Sequence, residues 1–135
     1  MVWWLVGCGL VKAVVSPPAV PDRVVQRLAP DLVALGHPQG AYLDARVVGW
    51  ENGAAGAHER YVDAALRYTR PQREAPYTMV VRLYVEGEEP CRASVDVVAD
   101  DGPPALLLDN GLAAAAFGET LCRALAEAGS RSGPT

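Results

Sequence analysis

Residues 77–97 read YTMVVRLYVEGEEPCRASVDV, and this stretch decides the fold. Apolar side chains recur at every second position on both sides of GEEP at 87–90, which is the period of a strand with one dry face. A Gly and a Pro within those four residues are typical of a turn. The stretch predicts a β-hairpin that packs one face on a core, with Arg82 and Arg92 on the wet face able to pair with Asp96 and Glu86.

Helical periods flank the strands. The first predicted helix is indicated by apolar residues at helical spacing, namely Val24, Val25, Leu28, Leu32 and Leu35. Asp22 is placed to cap this helix, Gly36 to end it, and Pro30 to kink or divide it. The second, over 111–128, is rich in alanine and ends at Gly129, with an apolar stripe of Ala114, Phe117, Leu121, Leu125 and Ala128.

Two more strands are predicted between the first helix and the hairpin. Leu43, Ala45 and Val47 alternate with Asp44 and Arg46, and a similar alternation runs through 62–68. The alanines at 64 and 65 leave a helix over 58–69 as the competing interpretation. The glycines in 52–56 indicate a flexible connection. The apolar run 105–108 is a candidate edge strand, with Asn110 as a helix cap.

These periods together predict one α+β domain over 22–129. It is a two-layer sandwich, with an antiparallel sheet of about four strands, an N-terminal and a C-terminal helix, and the order α-β-β-β-β-α. Residues 1–21 form an apolar segment and a proline-rich spacer, and 130–135 a flexible tail. The length of 135 residues, with half of them apolar, suits a single globular domain.

One recognisable motif lies near the start of the chain. Leu5-Val6-Gly7-Cys8 resembles the lipobox, where bacterial envelope proteins lose a signal peptide and gain a lipid on the new N-terminal cysteine. The resemblance implies lipidation of Cys8 and a membrane tether. A complete signal also has a charged first region and about 7–15 apolar residues, so this interpretation expects a start upstream of Met1. The alternative is a buried strand over 2–6 or an apolar helix start.

The cysteine count agrees with the tether. With Cys8 lipidated, Cys91 and Cys122 remain as an even pair, and a location outside the cytoplasm permits a disulfide between them. In the alternative, a cytoplasmic location, the same two residues are small buried thiols.

Several classes of chemistry are not expected. A net charge of −4 without a basic run argues against nucleic acid as a partner. The cysteines and histidines are too scattered for the paired ligands of a metal site, and no glycine-rich stretch has the order of a phosphate or dinucleotide loop. We therefore expect no metal and no cofactor.

The candidate functional residues are few. His37 and His58 are possible partners of a reactive cysteine, and His58 with Glu59 and Asp63 has the groups that proton transfer needs. Catalysis remains uncertain, because scattered residues of these types are common in small proteins. Three large aromatics, Tyr42, Trp50 and Tyr84, are expected to share the outer face of the sheet. There they form a partner surface or, in the alternative, pack on the linker or on each other.

The favoured function is a non-enzymatic binding module anchored to the cell envelope through Cys8, with an envelope protein as its possible partner. The alternative is a cytoplasmic small-ligand protein or enzyme with a pocket between helices and sheet near His37 or His58. A third hypothesis is a structural subunit in which Trp3 and Trp4 pack on a second chain. The oligomeric state does not follow from the sequence.

Overall fold

A computed structural model describes residues 18–53, 60–88, 90–105 and 111–131. Within these ranges the elements follow in the order α1 (Asp22–Gly36), β1 (Ala41–Glu51), β2 (Arg60–Arg70), β3 (Arg73–Glu88), β4 (Cys91–Asp100) and α2 (Gly111–Arg131). This order confirms the predicted α+β class and the α-β-β-β-β-α arrangement.

The four strands form one antiparallel sheet in the order β1-β2-β3-β4, so each strand pairs with its neighbour in the chain. The predicted hairpin is β3 and β4, with Leu83 opposite Val95. The segment for which a helix competed is β2, which pairs on both sides. The connections from β2 to β3 and from β3 to β4 are two residues each, which suits a meander, because consecutive antiparallel strands need only a tight turn between them.

Both helices pack on the same face of the sheet. α1 lies on β1 and reaches β2, whereas α2 lies on β4. One continuous core joins the helices to alternate residues of the strands. The helices contribute Leu28, Leu32, Phe117 and Leu121, and the strands contribute Val62, Leu66, Met79, Val81, Leu83 and Val95. We call the opposite side of the sheet the outer face, and among the described residues no helix packs on it.

α1 is a single helix that continues through Pro30. Pro30 is exposed, and the apolar residues before and after it are buried in the core. Packing along the whole face therefore outweighs the one backbone hydrogen bond that the proline removes. The N-cap is Pro21 and makes no side-chain bond, so Asp22 is the first helical residue and not the expected cap. At this position the negative charge of Asp22 interacts favourably with the positive end of the helix dipole.

α2 approaches β4 closely at Gly118. A Cβ atom placed there would lie 2.0 Å from the carbonyl oxygen of Ala93, so only a glycine permits this helix-to-strand distance. The helix extends to Arg131, past the predicted end at Gly129. Phe117, Leu121 and Ala128 of the predicted stripe are buried.

β1 carries two register shifts, one between Tyr42 and Asp44 and one between Val47 and Gly49. Each shift places one extra residue on this edge strand, Leu43 and then Val48, and their exposures are 45% and 46%. Leu43 is therefore exposed, although it belongs to the apolar set whose alternation predicted this strand. Bulges of this kind are common on edge strands, where they discourage pairing with other chains. The amide of Gln26 also donates to the carbonyl of Ala45 on this edge, at 2.6 Å.

Several sequence predictions concern residues outside the described ranges. They are the lipobox with Cys8, the residues Trp3, Trp4, His58 and Glu59, the candidate strand beyond Ala105, the cap at Asn110, and the end of the chain from 132. Within the described ranges, no helix is both long and apolar enough to cross a membrane.

Candidate functional site

A cluster of aromatic and charged side chains occupies the outer face where β2 and β3 pair. Tyr61 lies opposite Tyr84, and Asp63 lies opposite Arg82. These four residues alternate with the buried residues of the same strands, which places their side chains on the outer face. We refer to them as the outer-face cluster.

Arg82 holds the cluster together. Its Nε and Nη2 atoms donate to the two carboxylate oxygens of Asp63 at 2.8 and 2.9 Å, which is the two-point geometry of an arginine and a carboxylate. The exposed fractions of the two side chains are 29% and 19%, so the pair is partly shielded from solvent. The hydrogen bonds to Asp63 raise the pKa of the guanidinium, so Arg82 stays charged.

The two tyrosines pack around this ion pair. The guanidinium carbon of Arg82 lies 4.0 Å from the ring centroid of Tyr61, the geometry of a cation–π contact. Tyr61 and Tyr84 meet edge to face, with ring centroids 6.0 Å apart. These contacts restrain the four side chains of the cluster in one arrangement.

Chemically, the cluster suits recognition better than proton transfer. Asp63 was a candidate for proton transfer with His58 and Glu59, but both of its oxygens accept hydrogen bonds from Arg82. The guanidinium charge is in turn offset by that carboxylate. The cluster therefore presents aromatic rings and a neutralised ion pair, a combination that is common at the energetic centre of protein interfaces.

The prediction that Tyr42, Trp50 and Tyr84 share the outer face is wrong, because the three side chains lie on two faces of the sheet. Tyr84 belongs to the outer-face cluster. Tyr42 pairs with Tyr68 and Trp50 pairs with Val62, whose side chains are buried under the helices, so both point to the helix side. The physical cause is the pair of bulges in β1. Each extra residue breaks the alternation between the residues before and after it, so Tyr42 before the first bulge and Trp50 after the second lie on the same face as Ala45 and Val47. Trp50 is 44% exposed at this edge, whereas Tyr42 packs on the core.

His37 belongs to a buried polar cluster at the other end of the sheet. Its Nε2 atom donates to Oδ2 of Asp100 at 2.7 Å, and the hydroxyl of Tyr68 donates to Oδ1 of the same carboxylate at 2.8 Å. The backbone NH of Gly102 is a third donor, at 2.9 Å. The imidazole also stacks on the Tyr68 ring, with centroids 4.1 Å apart. Burial and the hydrogen bond to Asp100 raise the pKa of the Tyr68 hydroxyl.

This cluster is closed to ligands. His37 is 1% exposed, so a substrate has no access to its ring without local opening. A Cβ atom at Gly102 would lie 2.4 Å from the Tyr68 hydroxyl, and one at Gly40 would lie 3.2 Å from the same ring. The chain on both sides is thus packed against Tyr68, and we assign the cluster a structural role. It ties the end of α1 to β2 and β4.

The structure joins Cys91 and Cys122 by a disulfide, which agrees with the predicted pair. The bond links the first residue of β4 to the middle of α2, with 5.9 Å between the Cα atoms. With both thiols oxidised, neither cysteine is a nucleophile for His37. Among the described residues, no three His, Cys, Asp or Glu side chains group as a metal site.

The sequence prediction placed Arg82 on the wet face with Asp96 and Glu86 as the available acids, whereas in the structure Arg82 donates to Asp63. Alternation alone indicates that residues 61 and 63 face away from the core. The missing information was the register of β2 against β3, which sets Asp63 beside Arg82. This register is favoured because it sets an aromatic side chain opposite an aromatic one and an acidic side chain opposite a basic one.

The chain was compared with known protein families, curated proteins and solved structures. No family model, no curated protein and no solved structure matches this chain.

Proposed function

We propose that this chain is a non-catalytic binding module that recognises a protein through the outer face of its sheet. The observation that carries the proposal is the outer-face cluster, in which two tyrosines surround the ion pair of Arg82 and Asp63 on a face that no described helix covers. Tyrosine and arginine are, with tryptophan, the residue types enriched at energetic centres of interfaces.

The chemistry of the cluster favours a protein over a small anion or a sugar. Asp63 offsets the charge of Arg82, so the cluster lacks the uncompensated guanidinium that an anion site needs. The tyrosine rings meet at an interplanar angle of 62°, and Arg82 covers one face of Tyr61. A flat aromatic platform for a sugar ring is therefore absent from the cluster, whereas a protein can pack against rings at any angle.

We further propose that the module is held at the bacterial cell envelope through a lipid on Cys8. The resemblance of residues 5–8 to a lipobox supports this location, and so does the disulfide between Cys91 and Cys122, because disulfides persist in oxidising compartments. The prolines at 17 and 18, ahead of the N-cap of α1, suit an extended spacer between a lipid and the domain. The proposed partner is accordingly an envelope protein.

The test of the binding surface is site-specific photo-crosslinking in the native host. A benzoyl-phenylalanine replaces Tyr84 in one strain and Tyr61 in a second. In the control strain it replaces Arg123, which is exposed on α2. The proposal expects the same protein adduct from both outer-face positions and none from Arg123. Adducts of equal yield at Arg123, or none at either tyrosine, would overturn it.

The adduct then identifies a partner for a direct affinity measurement. Replacing Tyr84 with Ala is expected to weaken binding by about 2 kcal/mol, the usual threshold of an interface hot spot. The matched Arg123→Ala change is expected to leave affinity unchanged. The location is tested separately, because Cys8→Ser should release the protein from membranes and remove the lipid from its intact mass. An unmodified Met1 in protein from the native host would contradict the anchor but not the binding surface.

A further inference from the structure

The outer face is organised in rows, because the register of an antiparallel sheet places side chains of neighbouring strands side by side. Three successive rows cross the four strands. Taken from β1 to β4, the charged row in the middle consists of Gly49, Asp63, Arg82 and Asp96. The tyrosine row on one side of it consists of Glu51, Tyr61, Tyr84 and Ser94. The short row on the other side consists of Arg46, Ala65, Val80 and Ala99.

The two middle strands, β2 and β3, carry complementary side chains within each row. A two-fold axis that runs parallel to the strands, between β2 and β3, exchanges these strands and leaves each row in place. A second copy stacked on the outer face about this axis therefore has its β3 over β2 of the first copy. The pairs that meet are Asp63 with Arg82, Tyr61 with Tyr84, and Ala65 with Val80. The outer face is thus complementary to itself.

The direction of the axis follows from the charges. An axis across the strands would keep each strand over its own copy, so that Asp63 faces Asp63 and Arg82 faces Arg82, which is repulsive. The axis along the strands brings no like charges together in the three rows, and this includes the outer strands. There the pairs that meet are Glu51 with Ser94, Gly49 with Asp96, and Arg46 with Ala99.

The two edges of the sheet are less suitable for a second copy. On β1 the amide of Gln26 donates to the carbonyl of Ala45, and two bulges interrupt the strand. On β4 the backbone of α2 at Gly118 lies against the carbonyl of Ala93. Addition of a strand at an edge needs free backbone groups and a regular strand, so the outer face is the better surface.

We infer that the partner of the outer face is a second copy of this chain, bound face to face about a two-fold axis along β2 and β3. This inference rests on the proposed function, because it names the partner of the same surface. Arg82 uses its Nε and Nη2 atoms for Asp63 of its own chain. A guanidinium has further N–H donors, and each carboxylate oxygen has a second lone pair. Two ion pairs can therefore join into one network across the axis, with four tyrosine rings beside it.

The area of the outer face suits a specific but weak dimer. The shortest strand has 10 residues. Four strands about 4.8 Å apart, with a rise of about 3.3 Å per residue, give a face of about 600 Å². Two copies would bury about 1,200 Å² in total, the lower end of the range for specific interfaces. We therefore expect dissociation in the micromolar range.

The first experiment is sedimentation equilibrium of the full chain with Cys8→Ser, from about 1 to about 200 µM. We expect an equilibrium between monomer and dimer. Val80→Arg places a charge at the centre of the contact and should raise the dissociation constant at least about tenfold. The control Val48→Arg adds the same charge at an exposed position on the edge of β1 and should leave the constant unchanged. A monomer at every concentration, or equal effects of the two variants, would overturn the inference.

A charge exchange tests whether positions 63 and 82 meet across the axis. Asp63→Arg and Arg82→Asp each leave a cluster with two like charges, so each variant alone should remain monomeric. In an equal mixture, each position of one variant faces the opposite charge in the other, and we expect a heterodimer. A mixture of folded variants without a heterodimer would contradict the contact. Circular dichroism checks the fold of each variant, and Val80→Arg with its control decides the question if either is unfolded.

The crosslinking strains at Tyr61 and Tyr84 separate this inference from the proposed function. An adduct of twice the chain mass, joined from Tyr84 to the region of Tyr61, supports the homodimer and its axis. A junction near Val80 would overturn the axis, because that contact requires an axis across the strands. An adduct with a different protein would overturn the homodimer and leave the outer face as a binding surface. The absence of any adduct would overturn both proposals.

Discussion

The imidazole of His37 and the carboxylate of Asp100 form a buried hydrogen-bonded pair, 2.7 Å apart and separated by 63 residues in the chain. Their side chains are 1% and 7% exposed. Tyr68 and the backbone of Gly102 supply further hydrogen bonds to the same carboxylate. With three donors on its two oxygens, a carboxylate can be buried without a large penalty.

The first prediction concerns the loss of His37. In His37→Ala the Asp100 carboxylate keeps its other donors but loses the imidazole, and a cavity forms beside the Tyr68 ring. We expect the free energy of unfolding to fall by about 3 kcal/mol, within the range for breaking one partner of a buried pair. Urea denaturation measures this change. Adding Asp100→Asn to His37→Ala should cost less than the sum of the two single changes, and strict additivity would contradict the coupling.

The second prediction concerns the Tyr68 hydroxyl at high pH. Burial and the bond to Asp100 raise the pKa of this hydroxyl above its ordinary value of 10.0, so the folded protein retains a proton that the unfolded chain releases. This contribution to stability is fully present below pH 10 and declines as the pH rises above it. Tyr68→Phe should cost about 1 kcal/mol at neutral pH. The difference from the wild type should shrink above pH 10, as measured by urea denaturation across the pH range.

A constant difference between wild type and Tyr68→Phe from pH 7 to pH 11 would contradict the raised pKa. Absorbance of ionised tyrosine provides a separate check. The wild type should release its last phenolic proton only on alkaline unfolding, and Tyr68→Phe should lack that step.

The third prediction concerns the disulfide, whose cysteines are 31 residues apart. Closing a loop of this length restricts the unfolded chain and stabilises the fold by about 3 to 4 kcal/mol in the chain-entropy model. Replacing Cys91 and Cys122 together with Ala should reduce the free energy of unfolding by about that amount. Reduction of the wild type by dithiothreitol should have the same effect, while the double variant should not respond. A response of the double variant would point to another cause.

The fourth prediction compares two glycines of α2. Gly118→Ala would place a Cβ atom 2.0 Å from the carbonyl oxygen of Ala93, so the helix must move away from β4. We expect a loss of about 2 kcal/mol or more, because the clash with backbone exceeds the gain in helix propensity. At Gly129 a Cβ atom meets nothing within 4 Å. Gly129→Ala should therefore be neutral or stabilise the protein by up to about 1 kcal/mol. Similar thermal melting points for the two variants would refute the close approach.

The fifth prediction compares two ion pairs of the outer face. Arg82 and Asp63 are partly shielded, whereas Arg67 and Asp44 are about half exposed. Arg82→Gln also removes the contact with Tyr61, and we expect it to cost about 1 kcal/mol. Arg67→Gln should change stability by less than about 0.5 kcal/mol, as is usual for exposed pairs. Urea denaturation at low and high salt distinguishes the two ion pairs. Salt should reduce the contribution of the exposed pair of Arg67 and Asp44 to stability more strongly, because exposed charges are more strongly screened.

The local sequence determined the secondary structure of this protein to a large extent. The alternation on both sides of the turn at 87–90 predicted β3 and β4, and the period of 24, 28 and 32 predicted α1. These features are visible in the sequence because a helix or strand with one buried face must repeat its apolar residues at its own period. The two cysteines of the disulfide were also predictable, as an even pair near a strand and a helix that pack together.

Which side chains meet depends on the packing of the whole domain. The bulges at Leu43 and Val48 turned Tyr42 and Trp50 to the helix side, and the register of β2 on β3 set Asp63 beside Arg82. His37 met Asp100 because the end of α1 packs beside the ends of β2 and β4. The physical reason is the same in each case. The period of a segment fixes its own faces, whereas bulges, strand register and helix placement depend on packing between residues far apart in the chain.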